Sequence, residues 1–477
     1  MPHLDRSTRH IFSWTGKIKD VILSTAQPWP VDMMLDSWRM DAERFRYFTN
    51  ARPDARPYDA PFLFRNLSGF GAREDRPHRQ VAIPATGFGA WFSRPRPGQR
   101  AMASLTPRFK QHLHHTVPYE LIYTPGHDGK PSPDSPLSGF LHWLRTDPAD
   151  GRHQALATML ETEMSYYPHA LRQPAASPAP DRGNDDAVFL RFSAPLLLLD
   201  AALSWNATRS SPDARLTQLY IAQVALSDLP AGLQEDVPTL PVLSRPAPTP
   251  THLDLSADPF PLSVPDIYAS SLWLGLTPTF TPWHRDPNPN LFCQLLGRKA
   301  IRLMPPEPGK RLFREVLSRL QRQQRGQAGG VSQSAAIRGA EMMQGAERRA
   351  WEEVIWGHGD EAGSGAGSPG MRFGNKWTEG MEEAVLGPGD ALYIPYGWWH
   401  SVRTVQKASA DEIGGSDGQS MAHAPETLEA PTSLTPSEGP AASLYTAGQA
   451  TWGQEPGELN ASVNWWFRWR TVKEKSR

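Results

Sequence analysis

Two histidines and one aspartate carry the chemistry that this chain's residue types and spacing point to. His284 and Asp286 stand one residue apart in Thr281-Pro282-Trp283-His284-Arg285-Asp286-Pro287-Asn288-Pro289-Asn290. Strand side chains alternate with period two, so on a strand these two project to one face as neighbouring metal-ligand candidates. A third ligand must come from elsewhere. His400, in Gly397-Trp398-Trp399-His400-Ser401-Val402, is the candidate. Two imidazoles and one carboxylate form a donor set that holds iron and leaves coordination positions open to other molecules. A lone His-x-Asp arises by chance and often marks a hydrogen-bonded turn, so this reading needs strands that bring His400 to the other two.

The flanking sequence supplies them. Residues 270–276 are a short apolar run leading into the 281–290 stretch, and 291–296 and 299–304 are two more. Gly297-Arg298 joins the latter pair, and a leading glycine suits the type II′ turn of a β-hairpin. That hairpin would set Lys299 close to His284 and Asp286. Gly387-Pro388-Gly389-Asp390 turns the chain into a strand over 391–394, and Pro395-Tyr396-Gly397 bends it before a strand that begins at Trp399 and His400. Residues 461–467 close the series, and 216–226 reads as an earlier strand carrying Tyr220.

Leu312, Phe313, Val316, Leu317 and Leu320 recur at helical spacing, with arginines and lysines on or near the other, solvated face. Residues 61–67 and 117–123 read as strands and 196–203 as an apolar helix. Before them, Ile18, Val21, Ile22, Met33, Met34, Trp38 and Phe45 predict two short helices broken by Pro28 and Pro30. Segment 326–380, rich in Gly, Ser and Glu, is an insertion around one short helical pattern. Segment 407–448 is largely Ala, Ser, Gly, Glu and Pro, which bury too little apolar surface to offset their ordering entropy, so a disordered loop is expected.

Composition narrows the functional classes. The 49 basic and 50 acidic residues leave a formal charge of -1, so no global field selects nucleic acid or an anionic membrane. No apolar run is long enough to span a bilayer, and the N-terminal residues lack the apolar core of a secretory signal. Cys293 is the single cysteine, which excludes an intramolecular disulfide framework and reads as a small buried residue. A soluble protein of the cytoplasm or nucleus is expected.

Taken together, Thr281 to Asp286 with Asn290, Leu295-Leu296-Gly297-Arg298-Lys299 with Pro305-Pro306, Gly389-Asp390-Ala391-Leu392-Tyr393-Ile394-Pro395 with Trp399-His400, and Ser462-Val463-Asn464-Trp465-Trp466 resemble the JmjC family of oxygenases. The nearest likeness is to its small protein hydroxylases. The resemblance implies an α+β, mainly β protein whose core is a double-stranded β-helix of the cupin-like jelly-roll type. It would occupy 216–470, with insertions at 326–380 and 407–448, and 1–215 would pack on it as helices and strands. The resemblance further implies Fe(II) on His284, Asp286 and His400, with 2-oxoglutarate and O2 as cosubstrates. Lys299 would pair with the distal carboxylate of 2-oxoglutarate, Thr281 and Tyr220 would donate hydroxyls to it, and Asn290 and Asn464 would line the pocket. Trp283, Trp398, Trp399 and Trp465 are candidates for narrowing the substrate entrance, or for plain core packing.

The activity implied is hydroxylation of a side chain in a protein or peptide. The same iron site would also serve N-methyl-lysine demethylation or RNA modification, and a non-catalytic binding module is the third reading. The lack of zinc-finger cysteines argues against a multidomain histone demethylase, and the sequence leaves the oligomeric state open.

Overall fold

The computed structural model describes residues 29–30, 33–34, 60–64, 86–93, 102–126, 130–147, 151–166, 187–243, 263–323, 343–357, 379–406 and 453–471. In chain order the strands are β1 (Trp29–Pro30), β2 (Met33–Met34), β3 (Phe62–Phe64), β4 (Phe92–Ser93), β5 (Ser104–Leu105), β6 (Thr116–Tyr123), β7 (Val188–Pro195) and β8 (Leu219–Ala225). They continue as β9 (Ser263–Leu276), β10 (Phe280–Arg285), β11 (Asn290–Leu296), β12 (Lys299–Met304), β13 (Glu382–Leu386), β14 (Ala391–Ile394), β15 (Trp399–Thr404) and β16 (Leu459–Thr471). One sheet has the order β1-β13-β12-β15-β10 and the other the order β2-β3-β14-β11-β16-β9-β8-β6-β7.

From β10 onward the chain passes back and forth between the sheets, and neighbours pair antiparallel. Two facing antiparallel sheets wound in this way form a double-stranded β-helix of the jelly-roll class. Strands before residue 215 and after it join the same larger sheet.

Burial explains the layering. Phe292, Ile301, Leu303, Leu392, Ile394 and Val402 fill the space between the sheets. The outer face of the smaller sheet is covered by α1 (Pro306–Gln323) and α2 (Gly345–Trp356). Pro306 opens α1, where a missing N–H costs nothing. Leu312, Phe313, Val316, Leu317 and Leu320 are all buried, as their spacing predicts. Helix α2 lies within the 326–380 insertion and packs Trp351, Ile355 and Trp356 into the same cluster. The outer face of the larger sheet forms the most extensive cluster, in which Leu272, Leu274, Leu291, Val463 and Phe467 meet Leu198, Leu199 and other residues N-terminal to the barrel strands.

Two expectations are corrected here. β11 and β12 do not form a hairpin: β11 pairs with β14 and β16, and β12 with β13 and β15. Every residue of β11 is buried, because one face meets the interior and the other the outer cluster, so each strand gains more burial in a separate sheet than in a two-stranded ribbon. Gly297-Arg298 is instead a corner between sheets. Gly297 takes φ +75°, and a Cβ there would lie 2.3 Å from Gln454 Oε1. Second, within the stretch expected to be two helices, Trp29–Pro30 and Met33–Met34 are short edge strands. An edge tolerates Pro30, which has no N–H to donate. The rest of that expectation lies outside the described residues, as does the loop at 407–448, although Gln406 and Gln454 on either side of it bridge.

Candidate metal centre

Strand register brings the three ligand candidates together. His284 on β10 stands directly opposite His400 on β15, and their ring centroids are 4.1 Å apart. Asp286 follows two residues after His284, just beyond the strand end. One ligand atom from each of His284, Asp286 and His400 lies within 4.8 Å of the others. Asp286 Oδ1 is 3.9 Å from His284 Nε2, and Oδ2 is 3.7 Å from His400 Nε2.

The donor chemistry fits a metal ion. Nδ1 of His284 lies 2.8 Å from the Pro282 carbonyl oxygen and Nδ1 of His400 lies 3.3 Å from that of Trp398. A carbonyl only accepts, so Nδ1 carries the proton on each ring and Nε2 keeps its lone pair toward the shared point. Burial first, then the neighbouring His400, pushes His284 down to about 4, against the opposing pull of Asp286. At neutral pH that imidazole is uncharged, available as a metal donor and not an ion-pair partner of Asp286.

Asp286 is oriented by a relay of amides. Asn290 Nδ2 donates to Asp286 Oδ2 at 2.9 Å, Asn464 Nδ2 donates to Asn290 Oδ1 at 3.2 Å, and Trp273 Nε1 donates to Asn464 Oδ1 at 2.9 Å. The carboxylate just after β10 is thus held through β11, β16 and β9, an outer shell of the kind that fixes ligand geometry.

A bulge sets the face of Thr281. From Thr281 to His284 β10 takes three steps, while β15 takes two from Val402 to His400. The extra residue lets Thr281 share the His284 face, which strict alternation over three residues would forbid. Pro282 sits in this irregular turn of the strand, and Ser401 Oγ donates to the Thr281 carbonyl oxygen at 2.7 Å. Trp356 Nε1 of α2 donates to the same Ser401 Oγ at 3.0 Å, so the insertion helix braces the strand that carries His400.

Lys299 lies deeper than the corner turn suggests. It pairs with Thr404, whereas His400 pairs with Leu303, four residues farther along β12 or about 13 Å at ~3.3 Å per residue. Lys299 Nζ donates to Tyr220 Oη at 3.1 Å and to Ser462 Oγ at 2.8 Å. Burial alone pushes its ammonium down to about 7. Tyr220 reaches it because β8 crosses β9 at Gly275, where a Cβ would be 2.4 Å from the Leu219 carbonyl oxygen and 2.6 Å from the Tyr220 ring. Sequence reasoning missed Ser462, Gly275 and Trp273. Ser462 stands two residues before Asn464, and Trp273 stands opposite Ser462, a placement legible only once β9 and β16 are known to pair.

The four tryptophans divide. Trp283 and Trp399 stack at 6.2 Å on the outer face, where Phe313 and Trp351 extend the row, and Trp465 belongs to the cluster outside the larger sheet. These three do not narrow an entrance. Alternation from His284, His400 and Asn464 turns their immediate neighbours away from the interior. Trp398 packs between the sheets.

A family model described as a cupin-like domain matches residues 149–471. The chain belongs to the cupin-like domain family. It is also similar, over shorter stretches, to proteins named for the JmjC domain or for lysine demethylation. JmjC domain-containing protein D of Dictyostelium discoideum is 44% identical over 48 residues, 10% of this chain and 11% of that protein. Lysine-specific demethylase 8 of Danio rerio is 25% identical over 134 residues, 28% of this chain and 24% of that protein. Jumonji C domain-containing protein 5 of Drosophila melanogaster is 27% identical over 165 residues, 35% and 31% of the two chains. The chain matches less than a third of the length of each of these relatives. Among the described residues, no helix of this cupin-like protein is long and apolar enough to cross a membrane.

Proposed function

We propose that this cupin-like protein is an iron(II)- and 2-oxoglutarate-dependent oxygenase that hydroxylates a side chain of a protein or peptide. The observation that carries the reading is the convergence of His284, Asp286 and His400 at one end of an interior whose other end holds the buried Lys299. Iron, with 2-oxoglutarate and O2, would supply oxidative attack on a C–H bond and release succinate and CO2. His284, Asp286 and His400 would hold the metal, and the Asn290 relay would keep Asp286 aimed at it. Lys299, Tyr220 and Ser462 would hold the distal carboxylate, for which a buried cation and two hydroxyls are a suitable complement. Thr281 shares the His284 face and would donate to the same cosubstrate. Burial of His284, Lys299, Asn290 and Asn464 keeps bulk water from the path between them.

N-methyl-lysine demethylation is the second reading, favoured by the likeness to a protein named Lysine-specific demethylase 8. A pure binding module would need neither a three-donor cluster nor a buried lysine beyond it. The test is incubation of the purified chain with Fe(II), 2-oxoglutarate and candidate peptides. Succinate with a one-oxygen gain on the peptide is expected. Succinate with loss of a methyl group would move the assignment to demethylation, and absence of iron-dependent succinate would overturn both.

A further inference from the structure

A buried carboxylate that the proposed chemistry does not use stands in the N-terminal part of the larger sheet. Glu120 on β6 is 8% exposed. Its neighbours Tyr119 and Leu121 turn into the outer apolar cluster, so strand alternation turns Glu120 to the opposite face. Burying an ionised carboxylate is costly, and an apolar side chain would fill the place without that cost. Arg191 on β7 stabilises the charge, its Nη2 donating to Glu120 Oε1 at 2.5 Å. Burial pushes the carboxyl up from its ordinary range, and Arg191 opposes the shift.

Register sets the pair in one row across the sheet. Arg191 is opposite Glu120, Glu120 is opposite Tyr220, and Tyr220 is opposite Gly275. Directly opposed residues on neighbouring strands share a face. Tyr220 leans over Gly275 and receives the hydrogen bond from Lys299 Nζ. Glu120, Tyr220, Thr279, Phe280 and Arg348 also line one cleft, so the carboxylate and the phenol face the same space. The cleft lies at the Lys299 end of the interior, because the Thr279 hydroxyl is 2.8 Å from that of Thr404, the residue opposite Lys299.

The row thus runs cation, anion, hydroxyl, and ends on the Lys299 cation. Its outer cation is 57% exposed and lies across Glu120 from Tyr220, where solvent and salt screen it. After burial, Glu120 raises the Tyr220 phenol, so its field disfavours negative charge at Oη. A carboxylate hydrogen-bonded to Oη would stand within about 3 Å of that point and feel a field of the same sign. Arg348 of α2 faces the cleft as well, with its Nε 3.9 Å from a Glu352 carboxylate oxygen and its guanidinium 5.0 Å from the Phe280 ring centre.

We propose that Glu120 is an affinity-determining residue of the cosubstrate pocket, a fixed negative charge behind Tyr220 that weakens the hold on a distal carboxylate. The inference rests on the proposed function and adds a residue from outside the barrel strands to its cosubstrate site. Lys299 draws the carboxylate in, and Glu120 limits how tightly it is kept. Succinate retains the distal carboxylate of 2-oxoglutarate, so the same limit hastens the departure of the product.

The test compares the wild type with Glu120→Gln, whose amide keeps the shape and an oxygen for Arg191, and with Glu120→Met if the first variant does not fold. Full-length protein saturated with Zn(II) is titrated at pH 7 with 2-oxoglutarate and, separately, with 2-oxobutyrate, which has the keto acid but no distal carboxylate. The expected result is a Kd for 2-oxoglutarate lowered roughly 3- to 10-fold in the variant, the scale of one like-charge repulsion removed, with the Kd for 2-oxobutyrate unchanged. An unchanged or higher Kd for 2-oxoglutarate would overturn the inference. Equal tightening of both ligands would overturn it as well, since the effect would not depend on the distal carboxylate. Failure of the wild type to form succinate with Fe(II) would instead refute the proposed function, so the two failures are distinguishable.

Discussion

Raising the pH through neutrality should weaken 2-oxoglutarate binding steeply, because of Lys299. Its Nζ has two hydroxyl partners, Tyr220 and Ser462, and the rings of Phe292 and Tyr220 within 5.6 Å, but no carboxylate contact among the described residues. Burial alone therefore brings it down to about 7. The other titratable groups near it do not compete for the proton. The Tyr220 phenol is raised well above its ordinary range by burial and then by Glu120, and the Glu120 carboxylate is paired with Arg191 at 2.5 Å. A lysine depressed in the free protein is uncharged above about 7, and only the ammonium form attracts the carboxylate. If binding needs that form, the observed Kd is the intrinsic one divided by the protonated fraction. That fraction is about three-quarters at pH 6.5 and about one-thirtieth at pH 8.5, so Kd should rise ~25-fold, close to 2 kcal/mol.

The assay is calorimetric titration of 2-oxoglutarate into protein kept saturated with Zn(II) at each pH, in buffers of differing ionisation enthalpy. Proton uptake on binding should grow as the pH rises through about 7. Lys299→Arg keeps a cation at every pH and should flatten the dependence, since guanidinium does not titrate in this range. A wild-type Kd that is level from pH 6.5 to 8.5 would refute the reasoning. An equal slope in Lys299→Arg would do the same, because the titrating group would then be another residue.

Other perturbations probe the metal end and the scaffold. His284→Ala and His400→Ala should abolish tight Fe(II) binding, read by metal content after dialysis, while thermal unfolding stays cooperative; retained stoichiometric iron would contradict the ligand assignment. Asn290→Ala removes the donor that aims Asp286 and should weaken metal affinity about 10–100-fold, so an unchanged metal titration would argue against the relay. Gly275→Ala should displace Tyr220 from Lys299 and raise the Kd for 2-oxoglutarate, with circular dichroism reporting whether the sheet survives. Replacing residues 407–448 by a short Gly/Ser linker should leave cooperative unfolding intact, since Gln406 and Gln454 already bridge and loop length changes closure cost by only about 0.6 kcal/mol per doubling. Loss of the unfolding transition would show that the segment is structural.

Much of the site could be read from the chain because its signals are local. His284 and Asp286 share a strand end, Trp399-His400 follows a turn written as Pro395-Tyr396-Gly397, and the α1 face is spelled out by Leu312, Phe313, Val316, Leu317 and Leu320. Period and turn chemistry act over a few residues, and a sequence displays them directly. What tertiary structure alone decided is which strands meet. Gly297-Arg298 has the makings of a hairpin turn, yet burial on both faces of β11 sends its neighbour β12 into the opposite sheet. Thr281 reaches the His284 face only through a bulge whose existence depends on its pairing with β15. Tyr220, Ser462 and Lys299 lie on three strands far apart in the chain, and they converge because β8, β9 and β16 are neighbours and Gly275 leaves room for a ring. Such placements depend on competition among all segments for apolar burial and hydrogen-bonded edges, a property of the whole fold that no local pattern of residues contains.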